Sequence, residues 1–249
     1  MPALATPVSA PLDDLLHLAD NALVLGQRNA EWCGNGPVLE EDIALANMSL
    51  DLIGQARMLY QHAAVVAGDG ATEDSLAYFR GAADFRNFTL LELPHASTAS
   101  ERDYAVTIVR NFLYSAFMLL QWEALQASGD AQLAAIAGKS LKEVSYHFRH
   151  SRDWLVRLGD GTAESQQRTQ AALILLMPYT TEFWADAAPA LRTHWDELVN
   201  HALEEAGLSR PPLLQTALPH GKNGRHSEHL APLLAEMQSL ARAHPQARW

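Results

Sequence analysis

With 249 residues, 48 % of them apolar, and a formal charge of −11, the chain can bury a generous core but lacks the concentrated Lys and Arg that nucleic acid or an anionic membrane surface demands. A single cysteine, Cys33, excludes an intramolecular disulfide framework and fits a reducing cytosol. The first residues, Met1-Pro2-Ala3-Leu4, carry no basic region of a secretory signal, and no run of about 18 apolar residues asks for a membrane, so the expected location is cytoplasmic.

Helical periodicity runs from end to end, and no alternating β-branched run is long enough for a sheet, so the fold class is all-α. A first helix is predicted from Leu12 to near Cys33, where Gly34-Asn35-Gly36-Pro37 stops it. A second runs from near Glu40 to about Ala67 and ends at Gly68-Asp69-Gly70. On it Leu45, Met48, Leu52, Ala56, Leu59 and Ala63 recur at spacings of three and four, and Gln55 falls inside that stripe. Residues 72–94 read as short helices and loop rich in aromatics, among them Tyr78, Phe79, Phe85 and Phe88. A third long helix is expected from about Glu101 to Ala127 and a fourth from Ala131 to Leu158. The fourth buries Leu133, Ile136, Ala137, Ser140, Val144, His147, Ser151 and Leu155. Further helices are expected at about Ala163–Ala187, Pro189–Gly207 and Ser227–Ala243. No linker or repeat divides the chain, which gives one domain over residues 1–249. Short connections join helices one to two and three to four, and a long one joins two to three. That is the ferritin-like arrangement of a four-helix bundle with additional C-terminal helices; an up-down bundle leaves a similar pattern.

The second and fourth helices carry altered motifs. A di-iron carboxylate bundle places Glu-x-x-His on two helices and one Glu on each of the others, because hard oxygen ligands must bridge and balance two cations. The corresponding pairs here are Leu52-x-x-Gln55 and Val144-x-x-His147. The third helix has no Asp or Glu between Ala105 and Trp122, and the first offers Asp20 and then Glu31. These positions read as vestigial ligands, with no metal expected and His147 as a hydrogen-bonded core histidine. Two alternative metal groupings remain open: His147 with Glu143 or His150, and His226 with Glu228 and His229. The second is also read as a helix start with Ser227 as N-cap. Cys33 beside Trp32 reads as a packed thiol. No phosphate-binding glycine loop, nucleophile elbow or paired CxxC is present, and no catalytic residue is expected in the chain.

Several stretches carry a family likeness: Gly26-Gln27-Arg28 with Glu31-Trp32-Cys33-Gly34, Glu41 to Asn47, Leu50 to Arg57, Lys142-Glu143 to Tyr146-His147, Trp154 to Gly159, His226 to Gln238, and the terminal Trp249. Across essentially its whole length the chain resembles the C-type subunits of bacterial 1,2-phenylacetyl-CoA epoxidases. The resemblance implies a multicomponent monooxygenase of aerobic phenylacetate degradation. In it a catalytic partner subunit holds the di-iron centre, and a reductase supplies electrons from NADPH through flavin and an iron–sulfur centre. This chain would then be the non-catalytic structural subunit, with no cofactor of its own. Candidates for the partner face are Met58, Tyr60, Phe112, Tyr114, Phe117 and Trp122. If the chain also borders the substrate, the expected contacts lie at Asp84, Phe85, Arg86 and Asn87 with Arg80 nearby, the arginines on coenzyme A phosphates and Phe85 on adenine or pantetheine. A ferritin-like metalloprotein with its own site and a self-associating helical protein are the competing readings.

Overall fold

Residues 9–96, 102–185, 187, 189–212 and 219–247 are described by the structure, a computed structural model. Met1 to Leu4, Glu101 and Trp249, named in the sequence reading, lie outside them. Among the described residues there are eight α-helices and no β-strand: α1 (Leu12–Ala30), α2 (Leu39–Ala67), α3 (Glu73–Tyr78), α4 (Tyr104–Leu125), α5 (Ala131–Gly159), α6 (Ala163–Leu176), α7 (Pro189–Glu205) and α8 (Leu230–Ala243). The starts are chemically marked. The Asp103 carboxylate accepts the Ala105 N–H of α4, Asp130 accepts those of Gln132 and Leu133 of α5, and Thr162 and Ser165 form a reciprocal box on α6. α2 stops where Gly68 adopts a φ of +68°, a conformation glycine takes without steric cost.

The relative direction of α2 and α5 decides the topology. Gln55 meets Glu143, Asp51 meets His147 and Glu41 meets His150, so numbers rise on α5 as they fall on α2. The two helices are therefore antiparallel. In an up-down-up-down bundle they would be parallel. α1 against α2 and α4 against α5 are short-loop antiparallel pairs, and the segment from Gly68 to Asp103 must travel the length of the bundle between them. The chain is a ferritin-like four-helix bundle with one long crossover, to which α6, α7 and α8 are added. One hydrophobic cluster contains residues of all eight helices, from Leu15 to Leu234.

The stripes predicted on α2 and α5 are all buried. Several boundaries differ, each for a local reason. α1 ends at Ala30, because Trp32 turns its indole inward and donates its N–H to Thr107 Oγ1 at 2.9 Å, which fixes the turn against α4. That turn leaves Cys33 exposed rather than packed. The helix expected over Ala163–Ala187 gives way at Met177 to a tighter 3-10 turn, Met177–Trp184, since Pro178 has no N–H to continue the ladder. α8 begins at Leu230 rather than Ser227, because the Ser227 N–H and hydroxyl are both spent on Glu92, at 2.8 and 2.7 Å. Tyr60, Phe112, Tyr114, Phe117 and Trp122, expected toward a partner, are core residues.

Gly159, at the end of α5, packs on the end of α7; a Cβ there would lie 2.4 Å from the Ala206 carbonyl oxygen. Because backbone cannot yield as a side-chain tip can, Gly159→Ala is expected to destabilise the fold by about 1–3 kcal/mol, measured by urea denaturation.

Candidate functional site

The four vestigial positions come together in the bundle, on the facing sides of α2 and α5. Leu52 and Val144 are buried hydrocarbon. Gln55 donates its amide N–H to Glu143 Oε2 at 2.9 Å, and His147 Nε2 lies 3.1 Å from Asp51 Oδ2. The arrangement is reciprocal. Each helix sets a carboxylate one residue before the position that corresponds to the motif's glutamate, and that carboxylate holds the residue at the other helix's position corresponding to the motif's histidine. Asp51 stands four residues before Gln55, as Glu143 does before His147, so each carboxylate projects from the same helix face as its own motif residue. Farther along the seam, Glu41 Oε2 accepts the Tyr104 hydroxyl at 2.6 Å and meets His150 Nε2 at 2.9 Å. Burial and the neighbouring Glu41 charge raise the Tyr104 phenol above its ordinary value.

This donor set does not fit a di-iron centre. Two cations require bridging carboxylates inside the bundle, and the four positions supply one imidazole, one amide and two hydrocarbons. The carboxylates on either side face different partners, and the middle of α4 contributes Phe112, Leu113 and Ala116, all fully buried. Of the polar groups there, Asn111 exchanges amide hydrogen bonds with Asn29 of α1, Ser115 donates to the Asn111 carbonyl, and the buried Arg110 guanidinium donates to the Leu93 carbonyl. Glu143, His147 and His150 share a helix face yet each turns to its own α2 side chain. Nor do His226, Glu228 and His229 converge. His226 Nδ1 is hydrogen-bonded to Glu92 and its Nε2 lies 3.0 Å from the Phe85 carbonyl oxygen, while Glu228 is exposed and lies 3.9 Å from His229 Nε2, away from His226. Among the described residues no group of three or more His, Cys, Asp or Glu is arranged to hold a metal ion.

A second polar cluster fastens the crossover. Asp20 of α1 is fully buried and accepts hydrogen bonds from the Tyr60 hydroxyl of α2, the Arg80 guanidinium and, at 2.7 Å, the Arg86 backbone N–H. Burial and then the Asp20 charge hold the Tyr60 phenol well above its usual range. Burial works to lower Arg80, but the same carboxylate outweighs it and raises the guanidinium. Arg80 also lies 4.4 Å over the Phe85 ring. Of the expected substrate contacts, Phe85 and Asn87 present no surface, Arg86 gives its guanidinium to the Ala83 and Phe85 carbonyls, and Asp84 is exposed.

Beyond that loop, two more buried carboxylates bind the C-terminal return to the crossover. Glu92 takes Asn87, His226 and Ser227, while Glu182 takes the Thr89 N–H and hydroxyl and the Gly221 N–H at 2.6–3.0 Å. Burial tends to lower the His226 imidazole, but the Glu92 hydrogen bond and charge raise it overall. Burial pushes Glu182 up to about 7, against the pull of its three donors. Sequence reasoning missed Asp20, Glu92 and Glu182 as anchors. The signal available was their position: single carboxylates inside otherwise apolar stretches.

Residues 5–249 match the family described as Phenylacetic acid catabolic protein. The chain belongs to that family. A relative from Escherichia coli (strain K12), the C-type subunit of 1,2-phenylacetyl-CoA epoxidase, is 43 % identical over 248 residues, covering 94 % of this chain and 97 % of its own. No helix among the described residues is long and apolar enough to cross a membrane.

Two outcomes follow from these contacts. His147→Ala is expected to lower stability by about 1–3 kcal/mol through the lost Asp51 contact and packing, and EDTA to leave the wild-type melting temperature unchanged; calorimetry with and without chelator checks both. Glu182 holds its proton more tightly folded than unfolded. Its contribution to stability is therefore full below its ordinary value of 4.5 and is lost as pH rises through about 7. Glu182→Gln is expected to flatten the pH dependence of the denaturation midpoint across that window.

Proposed function

We propose that this chain is the non-catalytic structural subunit of a multicomponent phenylacetyl-CoA ring-1,2-epoxidase, pairing with and stabilising the di-iron catalytic subunit in aerobic phenylacetate degradation. The observation that carries the reading is the replacement of a ligand set by a reciprocal pair of hydrogen bonds, Gln55 with Glu143 and His147 with Asp51, in a chain 43 % identical to an epoxidase component. A bundle stabilised in this way folds without a cation to neutralise its centre. Oxygen activation then belongs to the partner's di-iron centre, and electron supply to a reductase carrying flavin and an iron–sulfur centre. On this reading any contact with the coenzyme A part of the substrate falls to Asp84 and Arg86, the two of the four expected contact residues with accessible surface.

The test is omission from a reconstituted mixture of partner subunit, reductase, NADPH and phenylacetyl-CoA, with epoxide formation and partner solubility as readouts. Leaving out this chain is expected to abolish turnover and destabilise the partner. Restoring it as His147→Ala should recover most of the turnover. Full epoxidation by the partner alone, or turnover by this chain with reductase alone, contradicts the proposal.

A further inference from the structure

The side of α2 that faces away from the bundle carries a second apolar row. Leu39, Ile43, Leu50 and Ile53 are 72, 51, 67 and 40 % exposed and recur at spacings of four, seven and three. The row extends about 21 Å along the helix. α2 is thus apolar on two opposite sides, whereas α5, of equal length, buries one side and presents polar groups on the other.

Gly54 gives an independent indication. It lies in the helix interior, where glycine is the least favourable residue after proline, and nothing stands within 4 Å of the place its Cβ would occupy. Gly26, in the interior of α1, shows what a glycine at a helix contact accomplishes. There α1 approaches α2 so closely that a Cβ would lie 3.3 Å from both Leu52 Cβ and Ile53 Cγ1, so Ile53, 40 % exposed, forms the α1-side border of the outward row. Gly54 offers the same bare backbone outward, beside Leu50 and Ile53.

Charge specifies the occupant. On the neighbouring helix the exposed residues between Lys139 and Arg149 are Lys139, Lys142, Ser145, Tyr146 and Arg149, a basic row in a chain of net charge −11. Three carboxylates of this side, Glu41, Asp51 and Glu143, are engaged within the seam by His150, His147 and Gln55, which leaves Glu40, at the start of α2, as an exposed acid beside Leu39. A second copy of the chain in a two-fold contact would bring the same basic row to the interface.

We propose that the outward α2/α5 face is the docking surface for the di-iron partner subunit, receiving a helix whose apolar stripe is flanked by Asp and Glu. The inference rests on the function proposed above. The partner's apolar side chains cover Leu39, Ile43, Leu50 and Ile53, its backbone approaches closest at Gly54, and its carboxylates meet Lys139, Lys142 and Arg149. Docking thereby lies directly over the seam of vestigial ligand positions, so the part of the bundle that lost the metal becomes the wall behind the interface.

The experiment measures binding of the purified partner subunit to the full chain by surface plasmon resonance. Variants are Leu50→Glu, Gly54→Trp and the pair Lys142→Glu/Arg149→Glu, with Leu240→Glu, an exposed apolar position on α8, as control. Leu50→Glu and Gly54→Trp are expected to weaken binding at least about tenfold while leaving the free chain's melting temperature within the wild-type range. The charge pair should slow association and reduce its dependence on salt, and the control should bind as wild type. Wild-type affinity in both Leu50→Glu and Gly54→Trp overturns the surface and leaves the proposed function standing. Failure of the wild-type chain to bind overturns the function and the surface together. A homodimer of the free chain that Leu50→Glu dissociates assigns the face to a second copy and likewise overturns the proposal.

Discussion

The carboxylate of Asp20 is buried without residual exposure and is held by a phenol from α2 and by a guanidinium and a peptide N–H from the crossover loop. Removing one partner from such a group leaves an uncompensated charge in the interior, a loss of about 3–5 kcal/mol. That constraint fixes where Arg80 to Arg86 must lie, and the rest of the crossover follows from it. Once Asn87, Thr89 and Glu92 are placed, the 3-10 turn docks through Glu182 and the C-terminal return docks through His226 and Ser227. Arg28 ties the same region to α1 by donating to the Glu92 carbonyl oxygen from Nε at 3.0 Å. The added helices are therefore fastened to the four-helix bundle by polar contacts as well as by packing.

The middle of the bundle solves a different problem. A scaffold built for two cations and stripped of them would bury several carboxylates with nothing to balance them. Here two of the four ligand positions are hydrocarbon, and the remaining amide and imidazole are each matched with one carboxylate across the α2/α5 seam. The negative groups sit toward the edge of the bundle, where Asp51 keeps 38 % side-chain exposure and part of its hydration. The result is a bundle whose polar middle is balanced by its own side chains.

The stripes on α2 and α5 were legible in the sequence because a helical period of 3.6 records directly which face is buried. That the four positions hold two hydrocarbons, an amide and an imidazole was legible outright, since residue identity does not depend on the fold. Partners across the seam were not. Asp51 and Glu143 become counterparts of His147 and Gln55 only when the antiparallel register is known, and register is a property of two helices together. Aromatic residues misled for a related reason. Phe112, Phe117 and Trp122 lie on a helix buried on nearly all sides, so composition alone could not separate a core face from a partner face. Nor could the sequence show that the Arg80 guanidinium and the Arg86 N–H of the crossover loop bind Asp20, a residue far away in the chain.

The central claim, that the ligand positions no longer hold a di-iron centre, is tested most directly by elemental analysis of the purified chain after anaerobic loading with ferrous iron and desalting. The account predicts iron far below one per chain, unchanged by His147→Ala. Two irons per chain, lost on that substitution, would contradict it.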